Sequence, residues 1–377
     1  MRALLAISLG ATVLLASCGG SGAPSVAAVC QVEPASNRVT EVRVPIPQSQ
    51  VALCHLASAS DVVAPPQADG LPRELAKLRP GIRLWQERVL LYATEPCDGC
   101  PSSPFTVDQV RADHPDWILH DAEGNEVHPA EHPDWVLLDF GNTDYQAAWE
   151  KQAAVDLGKG GWYGVVITDA WNEPNWSSVP VDPKTGQAMT PDTGADYLAQ
   201  ALALVRNVLK TDGYSLVGEL RPFEPPHRSQ IASTDAITLD EGFIGRRAED
   251  WDQLFDYFNV AVNAEVGSWV WDDEKRADKA ERVYGYASYL LCEIGPLSAY
   301  APPLGAGDDP LYKVKLGDPL GPPTPAGIAF VRGFADGAVA VNPGLVAQSI
   351  SLPGYGDFEL VPGGAVIILH GKVFATG

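Results

Sequence analysis

Between about residue 40 and residue 300 the chain alternates short apolar runs with stretches of helical periodicity, the pattern of repeated strand–helix units. The runs Val51–Leu56, Val89–Tyr92, Trp117–Leu119, Val136–Phe140, Gly164–Thr168, Ser215–Leu220, Ala236–Leu239 and Ser268–Trp271 predict strands. Several are apolar without a break, which is how a strand covered on both faces reads. Asp144 to Leu157 predicts a helix with Tyr145, Ala148, Trp149, Ala153 and Val155 on one stripe. Thr193–Leu209 and Lys275–Leu291 are amphipathic in the same way. Eight strands with helices between them predict an α/β fold, a (β/α)8 TIM barrel over residues 41–316. The proline-rich stretch Gly317–Pro325 breaks the pattern. Beyond it Ile328–Arg332, Ala338–Asn342, Ser349–Leu352 and Ala365–Leu369 are short β-type runs separated by glycine and proline. They predict a small C-terminal antiparallel β module over residues 317–377.

The N-terminus follows a different rule. Arg2 precedes the apolar run Ala3–Ala16, too short to span a bilayer comfortably, and small residues then lead into Cys18. Residues 1–17 read as an export signal. Leu15-Ala16-Ser17-Cys18 resembles the bacterial lipobox, which would make Cys18 the lipidated first residue of a mature protein anchored in the cell envelope. An ordinary secretory signal with an incidental cysteine is the plainer alternative. Residues 18–40 read as a flexible tether, so the expected membrane attachment is through lipid alone.

Composition narrows the partners. A 46% apolar content supports a large core, and the formal charge of −22 opposes binding to nucleic acid, whose phosphates it would repel. A neutral or amino-bearing glycan is easier to reconcile with that charge than a strongly anionic one. Six cysteines suit an oxidising compartment. Cys97 with Cys100 and Cys30 with Cys54 are candidate disulfides, and Cys292, in an apolar helix, reads as a buried thiol. The Cys-Asp-Gly-Cys segment lacks the strand–helix context of a redox motif. No second Cys or His pair has zinc-site spacing, so no metal or cofactor is expected. An echo, His114-Pro115-Asp116-Trp117 and His132-Pro133-Asp134-Trp135, reads as paired turns in preference to metal ligands.

The candidate chemistry lies where strands end. In barrels active sites gather at the strands' C-terminal ends. Glycosidic cleavage usually needs two carboxyls flanking the bond, about 5 Å apart for retention and about 6.5–9.5 Å for inversion. Asp169 ends the most strand-like run in the chain, Gly164–Thr168; a helix cap or a salt-bridged rim acid is its plainer reading. Glu241 repeats the grammar after Ala236–Leu239, with Asp240 on the opposite side of an extended chain as a supporting acid. Glu219, a third strand-end acid, is a candidate for substrate binding or for tuning a neighbouring carboxyl. Asn172-Glu173-Pro174 mimics the Asn-Glu-Pro acid/base motif of many retaining glycosidases, but the last candidate strand ends in Asp272-Asp273-Glu274, without the partner Glu that motif wants. Trp171 and Trp176 share the same polar loop, and Trp269 and Trp271 lie on one face of a strand. Indole faces stack on the C–H faces of sugar rings. Trp171, Asn172, Glu173, Trp176, Glu219, Asp240 and Trp271 are therefore the expected substrate contacts, while Trp117, Trp135, Trp149 and Trp251 read as core.

Ordered blocks carry a resemblance. They are His114–Leu119 with Gly124, Leu138-Asp139-Phe140-Gly141-Asn142, Gly164–Asp169, Asp240-Glu241-Gly242-Phe243, and Gly337–Pro343. Over roughly residues 50–370 the chain resembles the hypothetical glycosyl hydrolase-like family fifteen, a set of bacterial proteins read as barrel glycosidases. It is also similar to polygalactosaminidase-like and, more distantly, α-galactosidase-type barrels. The resemblance implies a nucleophile after the fourth barrel strand and an acid/base after the sixth, hence Asp169 and Glu241 in those roles. Ala170 stands where related barrels often have Asn. The expectation is a glycoside hydrolase acting on a polysaccharide or oligosaccharide; the alternative is a non-catalytic glycan-binding lipoprotein with the same barrel.

Overall fold

A computed structural model describes residues 40–41, 53–54, 56–57, 59–68, 70–95, 102–130, 132–168, 176–220, 228–239, 242–272, 277–294, 298–303 and 309–377. In chain order the first part comprises β1 (Thr40–Glu41), β2 (Asp61–Ala64), α1 (Leu71–Leu78), β3 (Arg83–Val89), β4 (Tyr92–Ala93), α2 (Val107–Asp113), β5 (Val136–Leu137) and α3 (Thr143–Gly158). There follow β6 (Gly164–Thr168), α4 (Pro191–Thr211), β7 (Ser215–Glu219), α5 (Arg228–Ala232), β8 (Ala236–Leu239), α6 (Ala248–Asn263), β9 (Gly267–Trp271), α7 (Lys279–Cys292) and β10 (Ala299–Ala301). Strands β1-β2-β3-β6-β7-β8-β9-β10 form one sheet in that order, every pair parallel. β1 also contacts β10, which brings the sheet close to closure. The architecture is a (β/α) barrel, so β6 is its fourth strand and β8 its sixth.

The barrel differs from the predicted one where apolar runs mislead. Leu53, Cys54 and Leu56, within the first predicted strand, are helical. Pro115–Trp117 forms a 3-10 turn, and Val136–Leu137 pairs antiparallel with Tyr92–Ala93 outside the barrel. These segments belong to a long excursion between β3 and β6. Both His-Pro-Asp-Trp copies are turns there: the Trp117 and Trp135 amides donate to the His114 and His132 carbonyls at 2.9 and 3.0 Å. Each imidazole stacks on its own indole, with ring centroids 3.7 and 4.1 Å apart. Strands β2 and β3 carry charge, so no long apolar run marks them. Arg88 of β3 is buried, yet its guanidinium meets Gln86 Oε1 and, at 2.6 Å, Asp156 Oδ2 of α3.

Helix α3 shows how the outer layer is attached. Asn142 caps its N-terminus by accepting from the Asp144 and Tyr145 amides, which satisfies two donors left open at a helix start. Tyr145, Trp149, Ala153 and Leu157, at four-residue spacing, form its buried stripe. Val155, predicted to join that stripe, is 50% exposed. Burying an indole such as Trp149 contributes on the order of 2–3 kcal/mol. Its N–H is not lost, because it donates to Val89 O at 2.9 Å. Cys54 is disulfide-bonded, and Cys292 is a free, buried thiol whose pKa burial pushes up.

The C-terminal part contains β11 (Thr324–Ala326), β12 (Ala329–Gly333), β13 (Gly337–Val341), β14 (Gln348–Leu352), β15 (Gly356–Leu360), β16 (Ala365–Leu369) and β17 (Lys372–Thr376). β11-β12-β13-β16-β17 make an antiparallel sheet, and β14-β15 a hairpin. β13 and β16 pack on α7. Arg332 reinforces the junction by donating to the carbonyls of Leu290, Leu291 and Glu293 at the end of that helix.

Candidate active site

Alternation along the strands sorts side chains into two sets. Val63, Trp85, Val166, Val217, Ala236, Trp269, Trp271, Ala299 and Ala301 form a single buried cluster, taken from one face of β2, β3, β6, β7, β8, β9 and β10. That face is the barrel interior. Towards the N-terminal end it is plugged by Trp85 and Trp269, in edge-to-face contact at 4.9 Å. The Trp85 indole N–H donates to Asp61 Oδ1 at 2.8 Å, and Arg83 pairs with the other oxygen of the same carboxylate. Above that plug the inward positions change character. Glu87 continues the alternation from Trp85, Thr168 from Val166, Glu219 from Val217 and Thr238 from Ala236, and all four are buried. On β3, β6, β7 and β8 the apolar core therefore gives way to polar side chains towards the C-terminal ends, while β9 and β10 end in the apolar Trp271 and Ala301.

Glu219 and Thr238 are register partners on neighbouring strands, and Thr238 pairs onward with Trp269. The Thr238 hydroxyl is buried and has no hydrogen-bond partner among the described residues. Burial first, and then the charge of Glu219, raise the Tyr257 phenol well above its ordinary pKa; that hydroxyl donates to Leu220 O at 3.0 Å. Trp271 shares the interior with Glu219, two positions beyond the Trp269 plug. Both side chains are buried, Trp271 within the apolar cluster and Glu219 beside Thr238.

Trp176 lies elsewhere. It is half-buried, bridges by backbone to Pro129, and donates its indole N–H to Tyr92 Oη at 3.0 Å. It fastens the segment after β6 to the excursion and packs against the main hydrophobic core. Asp169, Trp171, Asn172 and Glu173, after β6, and Asp240 and Glu241, after β8, lie outside the described residues, as does Cys18.

Two residues had not been singled out as chemistry. Glu87 sits in Arg-Leu-Trp-Gln-Glu-Arg-Val, which no apolar run marks; an acid spaced two residues from a buried Trp was the only signal. Asp139, from the Leu-Asp-Phe-Gly-Asn block, is buried where the excursion meets the segment after β6. Burial raises its carboxyl pKa, with Asp182 adding to the rise, while the Gly141 amide and Lys184 oppose it. Asp182 itself is held below the usual range: burial works against this, but the Lys184 amide and the Thr185 and Tyr197 hydroxyls outweigh it. Tyr197 is pushed up to about 12 by burial and by that hydrogen bond. Among the described residues no three His, Cys, Asp or Glu side chains group as metal ligands.

No curated protein sequence matches the chain. The glycoside hydrolase domain of PelA from Pseudomonas aeruginosa superposes with a TM-score of 0.45 at 14% identity, covering 71% of this chain and 95% of that one. Ega3 of Aspergillus fumigatus, solved with galactosamine, gives 0.43 at 11% identity, covering 72% and 92%. The α-amylase of Geobacillus thermoleovorans, solved with acarbose, gives 0.49 at 10% identity, covering 89% and 98%. The sequence profile of hypothetical glycosyl hydrolase family 15 matches residues 98–338, well over half of the 377 residues, from the excursion into β13. With the barrel and its appended antiparallel sheet in place, the chain belongs to that family.

Proposed function

We propose that this protein is an exported, lipid-anchored glycoside hydrolase that cleaves glycosidic bonds of a polysaccharide or oligosaccharide, with Asp169 and Glu241 as its carboxyl pair. The observation that carries the reading is the polar end of an otherwise apolar barrel interior, with Glu87, Thr168, Glu219 and Thr238 buried there. Asp169 and Glu241 follow in sequence the strands that supply Thr168 and Thr238, the fourth and sixth of the barrel. That matches the strand-four and strand-six carboxyls expected of such enzymes.

In this reading Glu241 protonates the leaving oxygen while Asp169 supplies the opposing carboxylate. At a carboxyl separation of about 5–5.5 Å Asp169 attacks the anomeric carbon directly; at about 6.5–9.5 Å it activates a water instead. Glu219, Asp240, Glu173 and Asn172 are polar contacts to sugar hydroxyls, and Trp171, Trp176 and Trp271 present ring faces. Binding alone, without turnover, is the competing role for the same residues.

The test is product release from a panel of neutral and amino-bearing polysaccharides. Asp169→Asn and Glu241→Gln are each expected to abolish cleavage while the thermal transition stays within about 2 °C of the parent. Full activity in either variant removes that residue from the mechanism. Binding of a glycan by the parent without product moves the protein to the binding reading.

A further inference from the structure

Asp272 directly follows β9 and is buried, at 2% exposure. Its Oδ1 accepts the Ile244 amide at 2.9 Å, and its Oδ2 accepts the Tyr300 hydroxyl at 2.7 Å. Its own amide donates to Ala301 O at 2.9 Å. The carboxylate thus ties the end of the seventh barrel strand to the eighth and to the turn that leaves the sixth. Ile244 is the third residue after Glu241.

The surrounding glycines show how tightly the contact is built. A Cβ at Gly242 would collide with Asp272 Oδ1 and Cγ. A Cβ on Gly285 of α7 would lie 2.7 Å from Asp272 Oδ2 and 2.5 Å from Ile244 Cγ1. Neither glycine has the positive φ that would account for it by backbone conformation alone. Both positions need the missing side chain because the carboxylate occupies its space. Two further bonds close the turn on itself and on the helix. Arg246 Nε donates to Gly242 O at 3.1 Å, and the Tyr284 hydroxyl donates to Arg246 O at 3.0 Å.

We infer that Asp272 is a positioning residue: it clamps the Gly242–Ile244 turn and through it sets the placement of the strand-six acids that precede the turn. The consequence for catalysis rests on the reading given above, but the clamp itself does not. A buried carboxylate accepting a backbone amide fixes a loop as a neutral side chain of other shape cannot. A misplacement of about 1 Å at a catalytic group costs on the order of 100-fold in rate.

Amide exchange across residues 242–247 of the full chain tests the clamp. Asp272→Ala is expected to speed exchange at Ile244 by about tenfold or more, with the α3 and α4 amides unmoved. Asp272→Asn retains an acceptor for Ile244 and is expected to stay close to the parent. On whichever glycan the parent cleaves, Asp272→Ala should lower kcat by roughly 10- to 100-fold with KM within about threefold, and Asp272→Asn should restore most of it. Unchanged Ile244 exchange in Asp272→Ala overturns the clamp, as does a rise spread evenly over the whole barrel. If Asp272→Ala does not fold, Gly242→Ala reads the same contact from the other side and must also loosen Ile244. A parent that cleaves no glycan defeats the hydrolase reading and leaves the exchange result to decide the clamp.

Discussion

Replacing Arg332 measures how far the C-terminal sheet supports the barrel. This residue of β12 is 4% exposed, and its Nη1 donates to Leu290 O, Leu291 O and Glu293 O at 3.1, 3.0 and 2.6 Å. Its Nε donates to Gly321 O at 2.9 Å. Helix α7 therefore ends with its last carbonyls satisfied from another layer, where a positive charge also suits the helix dipole. Arg332→Met keeps the apolar bulk and removes the fork. Each buried carbonyl left without a donor costs about 1–3 kcal/mol. Water entering the vacated space recovers part of that, which places the variant roughly 3–5 kcal/mol below the parent. Arg332→Lys should fall between the two, because a compact ammonium lacks the planar fork that reaches several carbonyls. All 10 tryptophans precede residue 317, so indole fluorescence in a urea titration reports on the barrel, with Trp251, 5.1 Å from the Phe330 ring of β12, also sensing the junction. A midpoint that falls with unchanged slope supports coupling of the sheet to the barrel through α7. A Met variant within about 1 kcal/mol of the parent, or an unmoved fluorescence transition, refutes it.

Asp139 offers a test by pH. Burial raises its carboxyl pKa in the folded protein, so folding favours the protonated acid: that stability is complete below the unfolded pKa and is lost as pH rises through the folded one. Asp139→Asn, which keeps an acceptor for the Gly141 amide, should raise the melting temperature at about pH 7 and leave it nearly unchanged at about pH 3; equal effects at both would show that the charge is not what costs stability. For the envelope, Cys18→Ser is expected to move the exported protein from the membrane fraction to the soluble one on cell fractionation, and persistence in the membrane would point to attachment by other means.

The outer face of the barrel was readable in the sequence because it obeys one rule. Where a strand is backed by a helix and lined by small or apolar residues, as in β6, β8 and β9, a plain apolar run marks it. The reading failed at β3, whose outward positions are Gln86 and Arg88 and whose inward ones include Glu87. Hydrophobicity cannot register a strand whose charges are buried and answered by residues far along the chain; Asp156, which pairs with Arg88, lies 68 residues away. Candidate acids can be picked out in the sequence, but what supports them cannot. A strand-end acid such as Glu219 is visible as a carboxylate after an apolar run. Asp272 was also visible, but only as one of three acids in a row. What makes it distinct is the convergence of Ile244, Tyr300 and the bare Cα positions of Gly242 and Gly285, drawn from three stretches of chain. The same asymmetry separates the aromatic residues. Trp269 and Trp271 are two residues apart on one strand and look equivalent in sequence; both join the buried cluster with Trp85, but Trp269 lies edge-to-face on Trp85 in mid-strand while Trp271 ends the strand. Depth along the barrel axis decides between core and site, and that depth follows from the register of neighbouring strands, which no single segment contains.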